Sequence, residues 1–125
     1  MRKGQLVPRA LGLLTAVYGA YTLARPASLL RTCGYLPAGR RPGRAGLVLG
    51  RAVGVRDTLS GLAMLCAPAG APLRAAVAAR VACDVADTVG FGLTVPAARR
   101  AKVVAITTGW AAACGASRRF AGRHR

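Results

Sequence analysis

The sequence predicts an all-α fold: a four-helix transmembrane bundle with a short interfacial helix between its first and second long helices. Three observations carry that expectation. The 125 residues are 54% hydrophobic with a mean hydropathy of +0.38, too apolar for a disordered chain and of a length that suits a single domain, 1–125. The apolar residues gather into long segments whose side chains are small or apolar nearly all the way round, which suits a lipid-facing helix better than an amphipathic surface helix. The charge is sorted in the same way. All three acids, Asp57, Asp84 and Asp87, lie inside apolar segments together with Arg51, Arg56 and Arg80. Those segments are therefore electrically balanced among themselves, and the net charge of +16 belongs to the termini and connections.

The first segment runs from about Leu6 to Ala24, with Pro8 tolerated in a first turn and Arg9 near enough to the end to snorkel outward. A signal-peptide reading competes with it, since Arg2 and Lys3 precede the apolar run and Thr22-Leu23-Ala24 has a small-x-small pattern. Three further apolar segments that would lack a partner weigh against cleavage. Pro26 opens a short helix to Cys33 that places Leu29, Leu30 and Cys33 on one side and Arg25 and Arg31 near the other, with Gly34 as its cap. This segment reads as an interfacial helix lying along the headgroups, followed by the irregular stretch Pro37 to Arg44. The second and third long helices, about Leu47 to Ala67 and Leu73 to Val95, flank a tight turn from Pro68 to Pro72. The fourth, about Val103 to Ala116, follows a basic turn from Pro96 to Lys102 and is marginal against the roughly 20 residues that span a bilayer core unless it extends into its basic flank. Short turns make consecutive helices antiparallel neighbours.

A pI near 11.7 ordinarily suggests nucleic acid. Here the basic clusters are short and bracket the apolar segments instead of lining one face, so anionic lipid headgroups are the expected partner, at about 1 kcal/mol per basic residue near the surface. No nucleic acid is expected. Of the 19 basic residues only Lys3 and Lys102 are Lys, which with the abundant Ala and Gly suggests a GC-rich bacterial genome. The expected location is the cell membrane, multi-pass. Alternating helices divide the flanking basic residues eight against eight, so the positive-inside rule gives no orientation.

Ionisable groups inside a membrane are kept when paired or in use. If the second and third helices form a hairpin, residues at equal depth have numbers that add to about 140. Arg56 with Asp84, Asp57 with Arg80 and Arg51 with Asp87 each meet that condition to within about 5 Å along the axis. Gly50, Gly54 and Gly61 make a small-residue stripe on the second helix, across which Arg51 and Asp57 reach the third. Arg56 points nearly the opposite way. It bends round to Asp84, or meets Thr107 or Thr108, a water-filled cavity, or a second protomer in a homo-oligomer.

Arg25-Pro26-Ala27-Ser28, Cys33-Gly34-Tyr35, the Gly50-Arg51-Ala52-Val53-Gly54-Val55-Arg56-Asp57 stretch with Gly61, and Asp84 with Asp87 resemble a bacterial family of small four-helix membrane proteins catalogued only as a domain of unknown function. The resemblance spans most of the chain. It implies a four-helix integral membrane protein and brings no activity or ligand with it.

Other chemistry is sparse. The one histidine, His124, sits in a basic tail, so no histidine-based catalysis or metal site is expected. Cys33, Cys66, Cys83 and Cys114 show no paired spacing and read as small buried apolar residues. No phosphate-cradling glycine motif occurs, and no enzyme activity, metal or cofactor is expected. Trp110 reads as a packing residue. The expected role is structural or accessory, with the Arg/Asp network locking the second and third helices. The alternative is a small transporter or proton-coupled carrier using Arg56, Asp84 and Asp87, and a water-accessible cavity reaching Asp84 is what separates the two.

Overall fold

The computed structural model describes residues 3–122. Arg2, Arg123, His124 and Arg125 lie outside the described residues. The fold is all-α, with no strand among the described residues. Its helices are α1 (Leu6–Ala24), α2 (Pro26–Thr32), α3 (Arg44–Cys66), α4 (Ala71–Thr94) and α5 (Ala97–Ser117), with 3-10 turns at Lys3–Gln5 and Arg118–Phe120.

Breakers set the boundaries. Pro26 stands at the first position of α2, where its missing N–H costs nothing. Gly34 takes φ +78°, and the chain closes α2 with Tyr35 N donating to Leu30 O at 2.9 Å, a left-handed cap that favours glycine. Leu29, Leu30 and Cys33 are buried and Arg25 and Arg31 exposed. The largest departure from the expected boundaries is α5, which begins six residues early and absorbs the basic turn. Ala97 to Lys102 are mostly strong helix formers, and Pro96 ends the preceding extended link at the N-cap. Arg99, Arg100 and Lys102 oppose the helix dipole there but remain exposed and solvated. Arg100 also donates to the carbonyl of Val95 at 3.2 Å.

Packing divides the helices into two antiparallel pairs. α1 and α3 make the most extensive contact, and α4 with α5 the next. The glycines decide the first pair. A methyl placed on Gly12 would lie 2.7 Å from the carbonyl oxygen of Gly61, and one on Gly54 would lie 2.6 Å from the backbone nitrogen of Leu23. Methyls on Gly19 and Gly61 would meet the backbones of Thr58 and Ala16, and one on Gly50 would meet Pro26. The stripe Gly50, Gly54 and Gly61 therefore receives α1 and the start of α2, and not α4 as expected. The reason is that α1 carries its own small stripe, Gly12, Ala16 and Gly19, whereas α4 presents the long Arg80 side chain toward α3. Guanidinium groups hold the α3 and α4 axes apart. α4 and α5 are joined partly by a 2.8 Å hydroxyl bond between Thr88 and Thr107.

Two apolar clusters close the space between the pairs at either end. One joins Leu29, Cys33, Val53, Val95 and Val103; the other joins Met64, Val77 and Cys114. Arg9 does not snorkel outward. Its guanidinium turns in to the carbonyls of Leu65 and Ala67, at 2.5 and 3.1 Å, and caps the C-terminus of α3 where the helix dipole favours a cation.

Large apolar side chains are exposed along the helices and part of the interior is charged. Leu13, Leu14, Val17 and Tyr21 of α1, Val48 and Leu59 of α3, Val85, Val89 and Leu93 of α4 and Ile106 of α5 are exposed, while Asp57, Arg80 and Asp84 are buried. Among the described residues one helix, Lys3–Ala24, is long and apolar enough to cross a membrane by length and composition. α3 and α4 are longer, at 23 and 24 residues, but each carries several charged side chains.

Candidate functional site

The charged residues meet midway between the two apolar clusters, where they bridge one helix pair to the other. Arg80 is 2% exposed. Its Nη1 donates to Asp57 Oδ1 at 2.6 Å and to Ser60 Oγ at 2.9 Å. Its Nε and Nη2 grip the two oxygens of Asp84, one turn further along α4. Arg56 forks onto Asp87, with Nη1 and Nη2 at 2.6 and 2.7 Å from Oδ1 and Oδ2, and its Nη2 also reaches Asp57 Oδ1 at 2.9 Å. The result is an alternating chain, Asp84, Arg80, Asp57, Arg56, Asp87, in which each guanidinium joins two carboxylates. Bidentate pairs of this kind are geometrically the most demanding that Arg makes.

The structure brings together five of the six charged residues singled out in the sequence. Asp57 and Arg80 pair across the helices at equal depth. Arg56 reaches Asp87 and not Asp84, because Asp84 is already held by Arg80 four residues before it on the same helical stripe. Arg51 stands outside the network, exposed and with no ion pair among the described residues. Ser60, which faces α4, lies nine residues further along α3, about two and a half turns, so Arg51 is on the opposite side of the helix. Thr107 does not meet Arg56 but bonds Thr88, and Thr108 is exposed. Arg51→Gln is accordingly expected to change the unfolding free energy by no more than about 0.5 kcal/mol, and Arg56→Gln to cost about 2 kcal/mol, both read from denaturant unfolding in micelles.

A cavity of about 280 Å³ lies between the pairs. Asp57, Arg80, Asp84 and Asp87 line one side, and Tyr18, Phe91 and Trp110 are prominent on the rest. A larger and more open recess of about 580 Å³ lies on the Arg56 side, with Tyr35 and Thr94 among its lining residues. The hydroxyls of Tyr35 and Thr94 bond each other, joining the segment after α2 to the end of α4. Val53, Asp87 and Phe91 border both spaces.

Trp110 and Thr15 are the functional neighbours that sequence reasoning missed. The indole Nε1 of Trp110 donates to Thr15 Oγ1 at 3.0 Å, which ties α5 to α1. The readable signal was a threonine at the middle of α1, a helix whose other hydroxyls, Tyr18, Tyr21 and Thr22, lie toward its C-terminal end. Cys33 and Cys114 are buried and Cys83 is half-buried, but Cys66, at the last position of α3, is exposed and not buried as expected. No group of residues suited to hold a metal ion occurs among the described residues. Comparison with family models, with curated proteins and with solved structures gives no match.

Proposed function

We propose that the chain is a multi-pass integral membrane protein in which α1, α3, α4 and α5 cross the bilayer and α2 lies along the headgroups. One observation carries this reading: large apolar side chains are exposed along α1, α3 and α4, while Asp57, Arg80 and Asp84 are buried. A soluble bundle has the reverse arrangement, and exposed apolar surface on this scale marks contact with lipid or protein. Helices of 19 to 24 residues extend about 28–36 Å, enough for a hydrocarbon core of about 30 Å. Exposed Arg25, Arg31, Arg40, Arg41, Arg44, Arg99, Arg100 and Lys102 belong to elements at the α2 end of the bundle, since Gly34 abuts Arg99 and Pro96, and this basic end suits anionic headgroups.

Within that reading the role is structural or accessory. The Arg/Asp chain is a clasp that joins two helix pairs whose facing surfaces, α3 and α4, have little other contact. A second reading, a small carrier, is favoured by the cavity that reaches Asp57, Asp84 and Asp87. Single cysteines at Arg56, Asp84 and Asp87 in a chain freed of its native cysteines, probed in intact membranes with a water-soluble thiol reagent, separate the two. The lipid-facing controls Val55→Cys and Val85→Cys are expected to stay unlabelled, and their labelling would sink the membrane reading. Protection of Asp84→Cys is the result expected of a clasp; labelling there favours a carrier.

A further inference from the structure

We propose that the cavity between the two helix pairs is a binding site for a hydrophobic organic monocation. The proposal rests on the membrane reading above in its second, carrier form, in which Asp84→Cys is labelled, and names the chemical class that the cavity takes. The first argument is charge. With Arg51 outside, the network holds three carboxylates against two guanidiniums, a surplus of one negative charge in a region of low dielectric. An uncompensated charge there is costly, so a positive partner is called for.

The geometry locates the surplus. Arg80 occupies both oxygens of Asp84, and Arg56 occupies both oxygens of Asp87. Every hydrogen bond to the Asp57 carboxylate from a described residue lands on Oδ1, which leaves Oδ2 without a described donor. The Asp57 side chain is 8% exposed and lines the cavity.

The lining selects the kind of cation. The aromatic rings of Tyr18, Phe91 and Trp110 border the same space, and aromatic faces attract weakly hydrated cations. No group of His, Cys, Asp and Glu among the described residues is arranged to hold a metal ion. A cavity of about 280 Å³ is at the small end of ligand pockets, the size of a single-ring molecule. Leu14, Tyr18 and Ile106 line the cavity and are also exposed, so it is open to the outside between α1 and α5.

Trp110 is the only tryptophan in the chain and lines the cavity, so its fluorescence reports occupancy. The full chain in lipid bilayers is titrated with benzyltrimethylammonium, with its neutral isostere neopentylbenzene at matched concentration in the bilayer, and with benzenesulfonate. The cation is expected to bind about tenfold more tightly than the neutral isostere, and the anion not at all. Asp57→Asn removes the surplus charge while keeping an oxygen for Arg80, and is expected to bring the cation's affinity down to that of the isostere. If that variant does not accumulate, the comparison on the unaltered chain decides alone. Equal binding of cation and isostere would mean a proton already offsets the surplus, and either that result or binding of neither overturns the proposal. Recovery of the chain outside the membrane fraction would instead strike the multi-pass reading, so the two failures are distinguishable.

Discussion

Replacing Arg80 with Met is expected to cost about 3–5 kcal/mol of folding free energy, the usual penalty for stripping one partner from a buried ionic group. Arg80 is the most deeply buried charge in the described chain, and it alone holds Asp84 while also joining Asp57 and Ser60 across the gap to α3. Without it, Asp84 faces an apolar cavity with no counter-charge. Arg80→Lys is expected to recover little, because a compact ammonium cannot fork onto Asp84 and reach Asp57 at once. Adding Asp84→Asn to Arg80→Met is expected to restore part of the loss by removing the orphaned charge. Charge swaps extend the test. Asp57→Arg alone should impair accumulation, and adding Arg80→Asp should recover only part of it, since the new acid lies one turn from Asp84. Swapping Arg51 with Asp87 should recover nothing, because those residues do not pair. Denaturant unfolding in micelles reads all of these, and an unchanged midpoint for Arg80→Met would show that the network is not a clasp.

Gly61→Ala is expected to be nearly as damaging, at about 3 kcal/mol, although it adds a single methyl. That methyl would press on the backbone nitrogen of Ala16 and the carbonyl of Gly12. Neither can turn aside as a flexible side chain would, so α1 and α3 must separate along their most extensive contact. Gly90→Ala and Gly109→Ala are the matched controls, since a methyl at either meets nothing within 4 Å. They are expected to be neutral or to stabilise by about 0.5–1 kcal/mol through helix propensity. If Gly61→Ala unfolds at the same midpoint as those two, the seam is looser than its geometry implies.

Those two predictions also mark where the sequence could and could not be read. Helix number and most boundaries were legible because apolar runs and the breakers Pro26, Gly34 and Pro96 report local physics. α5 was underestimated because Arg99, Arg100 and Lys102 look like a loop to hydropathy while being good helix formers. The stripe of Gly50, Gly54 and Gly61 was visible, yet its partner was assigned by chain proximity. The matching stripe on α1, Gly12, Ala16 and Gly19 at spacings of four and three, was there to be read. The charged set was legible as a set. Its pairings were not, because depth alone ignores rotation about the axis, which takes Arg51 away from α4, and competition within a helix, which gives Asp84 to Arg80. The cavity was not legible at all: it is the volume left over once the two pairs have packed, and no residue pattern encodes a remainder.

The alternating order of charges across α3 and α4 has a consequence for biogenesis. On the membrane reading, a helix carrying Arg51, Arg56 and Asp57 enters lipid poorly by itself, and so does one carrying Arg80, Asp84 and Asp87, at about 2.5–3.5 kcal/mol for each charge near a helix centre. The pairs that cross between the helices, Arg80 with Asp57 and Arg56 with Asp87, form only after the turn from Ala67 to Gly70 has brought α4 back beside α3. The unit that leaves the insertion machinery is then the hairpin and not the single helix. α1, apolar enough to go first, waits in the bilayer with its glycine face uncovered until that hairpin arrives.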